Sequence, residues 1–300
     1  MVTLSPAITR SITNRCMESA KSRKKPLLVS NLIEGKATIC IVNYKTLDLT
    51  RLCLRSVRKF TKYPCEVIVV DNNSQDKSLE YLKSLNWISL IERRPKPDEP
   101  GGGYAHGAAL DLALAKCNTE FFVAMHSDVI VRKDNWLTNL IGYFDGDKSI
   151  ACVGSGKIEL TPKWRILLKK ATDLKALKRK VFRDPQLLTK FRYHNRTMCC
   201  IYRTDILRRE QLSFLAGKGQ GLAAGQKLYF ELVDRGYKTV ELPSSIMCQF
   251  VYHLAHATQV VNPQEFTLQK RAIKKCNRLI YKIMSSEIIQ DILIDESLDS

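Results

Sequence analysis

The sequence contains no stretch approaching the roughly eighteen consecutive apolar residues that a membrane-spanning helix requires. Its N-terminus, MVTLSPAITRSITNRCMESAKSRKKPLL, lacks the apolar core of a secretory signal. That stretch is basic, polar and without pattern, so residues 1–35 read as a loosely attached leader. Ten cysteines are present, yet no two are spaced C-x-x-C, so neither a zinc ribbon nor a thioredoxin-type redox pair is indicated. Cys40 in ATICIV, Cys65 before EVIVV and Cys152 in IACVG lie in strand-like apolar runs. Adjacent Cys199 and Cys200 cannot close an ordinary unstrained bridge. Small buried hydrophobes in a reducing cytoplasm account for this usage. Internal repeats and low-complexity tracts are also lacking.

Positive charge, by contrast, is plentiful and unevenly placed. Of the net +18, residues 1–36 carry +5 and residues 157–196 carry +10. Partners bearing phosphates, or an anionic membrane surface, are therefore expected at defined places. The stretch PKWRILLKKATDLKALKRKVF (162–182) sets Trp164, Leu167, Leu168, Ala171, Leu174, Leu177 and Val181 on one helical face, with lysines and arginines opposite. That is the composition of an interfacial amphipathic helix, and equally of an ordinary helix packed on a sheet. No recognition-helix motif, aromatic RNP strand or zinc module accompanies the charge, so nucleic acid is not the expected partner.

From Lys36 onward β-rich runs alternate with helical patterns. ATICIV (37–42), CEVIVV (65–70), WISLI (87–91) and TEFFVAM (119–125) read as strands. DLTRLCLRSVRKF (48–60), DKSLEYLKSL (76–85), HGAALDLALAKC (106–117) and NWLTNLIGYF (135–144) read as helices. The alternation predicts an α/β fold: a mostly parallel sheet between helical layers, with a basic helical insertion and a C-terminal helical segment over 263–290. Such sheets bind ligands at the carboxyl ends of their strands. There stand Asn43-Tyr44-Lys45, Asp71-Asn72-Asn73-Ser74, Arg93-Arg94 and His126-Ser127-Asp128, polar groups converging on one edge.

Three segments carry a resemblance. ICIVNYKTLDLTRLCLRSV…EVIVVDNNSQDKS, then TEFFVAMHSDVIVRKDNWL, then LVDRGYKTVELP…VYHLAHAT, are similar to the family 2 glycosyltransferases of GT-A fold over roughly residues 36–260. The resemblance implies transfer of a sugar, with inversion, from a nucleotide-sugar to an acceptor hydroxyl, in cell-envelope polysaccharide or glycolipid synthesis. It divides the chain into a nucleotide-sugar half (36–156), an acceptor half (157–260) and a C-terminal extension (261–300). A divalent cation, manganese or magnesium, would stabilise the charge of the departing diphosphate. The family's D-x-D motif falls on His126 and Asp128, with Ser127 between; the first acid has become an imidazole, which tilts preference toward manganese. His253 matches the family's closing histidine as a further ligand, and His256 is a lesser candidate. Asn43, Tyr44, Asp71, Asn73, Ser127 and Asp128 fall on the family's nucleotide-sugar positions. Asp71 could equally make an Asx-turn or a helix cap. The PGGGYAH loop has neither G-x-G-x-x-G nor a P-loop lysine, and a simple turn fits it as well as a phosphate cradle. The acceptor would be a saccharide or a lipid-linked sugar, with the basic segment 162–182 resting on the inner face of the membrane.

One element of the family pattern is lacking. Inversion needs a general base, usually a carboxylate. Its expected position falls on Ala224-Gly225, and the loop GLAAGQ holds no acid. Glu231 and Asp234 lie within the following helix as solvated charges, and Glu210 or a histidine are weak substitutes. The absence keeps open a second reading, a transferase-like protein that binds nucleotide-sugar or membrane without turnover. A nucleotidyltransferase would want a glycine-rich, basic loop after the first strand, which NYKTLDLT does not supply.

Overall fold

A computed structural model describes residues 32–156, 194–215, 222–266 and 269–300. The basic segment 162–182 lies outside the described residues. The described strands are β1 (Ile33–Asn43), β2 (Cys65–Asp71), β3 (Ser89–Glu92), β4 (Thr119–His126), β5 (Val129–Val131), β6 (Ile150–Gly154), β7 (Cys199–Arg203), β8 (Lys238–Glu241) and β9 (Val251–His253). Helices α1 (Leu47–Phe60), α2 (Lys77–Ser84), α3 (Gly103–Lys116) and α4 (Trp136–Ile141) alternate with the first strands. The later helices are α5 (Thr204–Arg209), α6 (Gln226–Asp234), α7 (Ser244–Phe250), α8 (Ala257–Val261), α9 (Lys270–Met284) and α10 (Glu287–Ile294).

Seven strands form one sheet in the order β3-β2-β1-β4-β7-β6-β8, while β5 and β9 pair as a small antiparallel ribbon. β1, β2, β3 and β4 run parallel, as the continuous apolar runs predict, and so do β6 and β8. β7 runs antiparallel between β4 and β6. Because side chains alternate across a strand, the two faces feed separate cores. Ile39, Ile41, Val69, Val123 and Met125 meet Cys53, Leu54 and Val57 of α1 and Trp136 of α4. Cys40, Val42, Ile68, Phe122 and Ala124 meet Ala109, Leu110 and Ala113 of α3 and Leu228 of α6. Each fully buried aliphatic side chain contributes about 1.5–3 kcal/mol to this sandwich.

Helix α3 approaches its neighbours closely because of what it lacks. A Cβ at Gly107 would lie 2.7 Å from the Phe214 carbonyl oxygen, and one at Gly103 would touch the Ala224 amide at 3.6 Å. One turn on, Asp111 accepts from the Phe214 amide (2.8 Å) and the Ser213 hydroxyl (2.5 Å). Spacing by four puts Gly103, Gly107 and Asp111 on one helical face, so that face fixes residues 213–215 and 222–224.

The C-terminal helical segment expected over 263–290 is divided into two helices, α9 and α10. Ser285 Oγ donates to the Tyr281 carbonyl (2.8 Å) and Ser286 Oγ to that of Ile283 (2.9 Å). These side-chain bonds compete with the backbone ladder and end α9 where two serines follow each other. Both helices pack against α1 and the β5–β9 ribbon: Cys276, Ile283, Ile289 and Ile292 join Leu49, Leu52, Ile130 and Leu254 in a third core. Arg55, 3% exposed, donates to both oxygens of Asp299 (2.9 and 2.5 Å), and Tyr81 donates to Asp299 Oδ1 at 2.7 Å. No helix among the described residues is long and apolar enough to cross a membrane.

Candidate active site

The parallel register carries the polar strand ends to one edge: Asn43 stands beside Asp71, Asp71 beside Glu92, and Val42 beside His126. At this edge Asn43 and Asp71 are buried and committed to each other. Asn43 Nδ2 lies 2.7 Å from Asp71 Oδ1, 3.0 Å from Ser74 Oγ and 2.8 Å from Ser78 Oγ. Asn43 Oδ1 accepts from Thr50 (2.7 Å) and Thr46 (3.2 Å), while Asp71 Oδ2 accepts from the Ser74 amide at 3.0 Å. Asp71 therefore makes the Asx-type turn, and the cap of α2 falls to Asp76, which accepts from the Ser78 amide. Asn73 adopts left-handed backbone (φ 66°) and accepts from Gln75 at 3.0 Å. Tyr44 donates to Glu265 at 2.5 Å, and Lys45 pairs with the same carboxylate. Arg93 bonds Asn72 (2.5 Å) and pairs with Glu99.

His126 ends β4, Ser127 and Asp128 turn the chain, and β5 pairs with β9 in a register that sets Val129 opposite His253. The Asp128 carbonyl also accepts from the Leu254 amide at 2.9 Å. This ribbon brings His253 in from the far end of the chain. One ligand-capable atom from each of His126, Asp128 and His253 lies within 4.8 Å of the others. His126 Nδ1 is 3.7 Å and His253 Nε2 3.3 Å from Asp128 Oδ1. Ser127 is buried, its hydroxyl 3.3 Å from that of Thr46. His256 stands apart from this group, exposed, its Nδ1 2.9 Å from Gln259 Oε1.

The electrostatics are those of a buried carboxylate between two histidines. Burial works against ionisation of Asp128, but His253, His126 and the backbone outweigh it and hold the carboxyl below its usual range. Burial lowers the imidazole of His126 despite the opposing pull of Asp128. Asp128 Oδ1, with negligible exposure, has no hydrogen-bond partner; the approach of His253 is close enough for attraction but is not aligned as a bond. An unpartnered buried carboxylate oxygen costs several kcal/mol unless a cation satisfies it. The set of one carboxylate oxygen and two imidazole nitrogens suits a divalent metal.

Two further residues reach the group that sequence reasoning passed over. His106, in the first turn of α3, stacks edge-on against His126 with ring centroids 4.7 Å apart. Thr197 Oγ1 stands 3.5 Å from Nε2 of both rings. The histidine in PGGGYAH was the available signal; the threonine in YHNRTMCC carried none. Where an acid is expected, Ala224 is buried and Gly225 is left-handed (φ 73°). A Cβ on Gly225 would lie 2.6 Å from Thr197 Cγ2, so the threonine methyl occupies that space. Glu210 is engaged elsewhere, accepting from Tyr237 (2.7 Å) and pairing with Arg235 (3.6 Å). Glu231 pairs with Lys227 on α6.

Over 119 residues the chain is 29% identical to the O-antigen chain rhamnosyltransferase RfbN of Salmonella typhimurium. The match covers 39% of this chain and 36% of that relative, so it spans little more than a third of the relative's length. Among solved structures, the mannosyltransferase PcManGT of Pyrobaculum calidifontis, in complex with GDP-Man and Mn2+, superposes with a TM-score of 0.50. That likeness is at 16% identity, covers 96% of this chain and 81% of the other, and concerns the fold. The model of glycosyl transferase family 2 matches residues 38–212, more than half of the chain. With that match laid over a mixed, mostly parallel sheet between helices, the chain belongs to glycosyl transferase family 2, a class of enzymes.

Proposed function

We propose that this protein transfers a sugar, with inversion, from a nucleoside-diphosphate sugar to an acceptor hydroxyl, using a divalent cation held by His126, Asp128 and His253. The convergence of these residues around an unpartnered, buried Asp128 Oδ1 carries the reading. The cation, when bound, supplies positive charge beside the departing diphosphate. The chain's own residues do the rest. Asp128 contributes the charge, and the two imidazoles contribute neutral lone pairs. The buried Asn43–Asp71 network braces the carboxyl ends of β1 and β2, and at the same edge of the sheet Tyr44, Asn73 and Ser127 border the donor. We assign residues 36–156 to the donor and 157–260 to the acceptor, with 261–300 closing over the first helix.

The O-antigen rhamnosyltransferase relative supports an envelope saccharide or a lipid-linked sugar as the acceptor class. A cytoplasmic protein resting on the inner membrane face through 162–182 would meet such an acceptor. Manganese is favoured over magnesium because imidazole replaces one carboxylate. The test is a panel of nucleotide-sugars assayed with Mn2+ for binding, hydrolysis and transfer. Asp128→Ala should abolish Mn2+-dependent donor binding; unchanged affinity would sink the metal assignment. The absence of an acid at Ala224 and Gly225 favours a second reading, binding without turnover. Donor binding with neither hydrolysis nor transfer would support it.

A further inference from the structure

His126 presents two different nitrogens to two different neighbours. Nδ1 faces Asp128 Oδ1 across 3.7 Å, too wide for a hydrogen bond. Nε2 faces Thr197 Oγ1 at 3.5 Å, and the same hydroxyl faces Nε2 of His106 at the same distance. A neutral imidazole has one N–H and one lone pair, and a hydroxyl has one proton. The two contacts therefore cannot be set independently. If Thr197 gives its proton to His106 Nε2, its oxygen is left to accept, and His126 must carry its proton on Nε2. The Nδ1 lone pair is then free toward Asp128 and His253. In the opposite setting His126 would carry its proton on Nδ1, pointing into the space between the three groups. That setting would leave His126 no lone pair to offer a cation beside the buried, unpartnered Asp128 Oδ1.

We propose that Thr197 and His106 form a hydroxyl–imidazole relay that fixes His126 in its Nε2–H tautomer and so reserves Nδ1 for a cation. Both are positioning residues. The proposal rests on the metal reading above for its purpose, but not for its geometry. Metal-binding histidines commonly have their second nitrogen fixed in this way by an outer partner. The relay spans two elements that sequence keeps far apart. His106 is placed by the glycine face of α3, and Thr197 by the turn before β7. Gly225 leaves room for the Thr197 methyl. The position expected to hold an acid is in this chain given over to seating the relay.

The experiment uses the full chain, 15N-labelled at histidine; with five histidines in the sequence, assignment by single substitutions is practical. Two-bond 1H–15N correlation spectra of the metal-free protein at pH 7.5 report the tautomer, and electron paramagnetic resonance titration reports Mn2+ affinity. Wild type should show His126 protonated on Nε2. Thr197→Val should move it toward the Nδ1–H form and weaken Mn2+ binding about 10–100-fold. Thr197→Ser should restore both. His106→Phe, which removes the acceptor from the other end, should shift the tautomer in the same direction, and serves if Thr197→Val does not fold. An Nδ1–H His126 in wild type would overturn the proposal, as would a tautomer and affinity indifferent to both substitutions. Failure of wild type to bind Mn2+ would instead overturn the metal reading, while the metal-free tautomer still decides the relay.

Discussion

Replacing Gly225 with alanine tests the packing behind the candidate site. The residue is left-handed (φ 73°), a conformation that costs an L side chain roughly 1–2 kcal/mol. The new Cβ would also fall 2.6 Å from Thr197 Cγ2. Thr197 is buried and β-branched, so it has few alternative rotamers. Rotating it away would carry Oγ1 off both histidines, and leaving it in place overpacks the site by about 1–3 kcal/mol. The whole cost is about 2–5 kcal/mol, or roughly 3–8 °C in Tm for a chain of this size. Gly236 supplies the control: it is also left-handed (φ 85°), and a Cβ there would meet nothing within 4 Å. Gly236→Ala should therefore lose only the backbone part. Differential scanning calorimetry on both variants, and on Gly225→Ala combined with Thr197→Ala, separates the contributions. The double variant should recover the steric part. A Gly225→Ala protein no less stable than Gly236→Ala would refute the packing claim.

Mn2+ at a hundred times its Kd should stabilise wild type by about 2.7 kcal/mol, seen as a rise in Tm. Asp128→Asn should lose that rise; a retained Mn2+ shift would contradict the ligand set. Asp299→Ala leaves the buried Arg55 guanidinium without its carboxylate and should cost about 2–3 kcal/mol in urea unfolding, the low side of a buried pair because Asp299 is partly exposed. A loss below about 0.5 kcal/mol would show that the clasp is an ordinary surface pair. Burial holds His194 down to about 4 and His106 to about 3, against 6.5 as the ordinary value. Below pH 6.5 the unfolded chain takes up protons that the folded chain refuses. Stability should be full above that pH and fall as pH drops toward 4, and His194→Gln should flatten the decline. A wild-type profile level from pH 7.5 to 5 would exclude it.

The donor half of the fold was legible because its signals are local. CEVIVV and ATICIV can only be strands buried on both faces, and once they are parallel their polar ends must share an edge. That reasoning placed Asn43, Asp71 and His126 together without any further information. It did not reveal that Asn43 and Asp71 satisfy each other, because such pairing depends on register rather than residue type. His253 entered only through family resemblance; its own neighbourhood, FVYHLAHAT, says nothing about Asp128 until β9 pairs with β5. His106 and Thr197 were illegible for a similar reason. Each is a single polar residue in a segment whose local pattern concerns something else, and only tertiary packing makes them neighbours. The break at Ser285 and Ser286 was readable in principle, since consecutive serines in a helical run offer the backbone competing partners.

The β5–β9 ribbon has a kinetic meaning as well as a spatial one. Of the three candidate ligands, two are in place as soon as β4 joins β1, but the third arrives only when the last third of the chain has docked. A cation gripping all three would then act as a reversible cross-link closing a very long loop, and by loop-closure entropy such links stabilise most when the loop is long. Loading the site should accordingly protect the C-terminal helices from proteolysis, although neither helix supplies a ligand. Metal occupancy would be read out as the security of the chain's final segment.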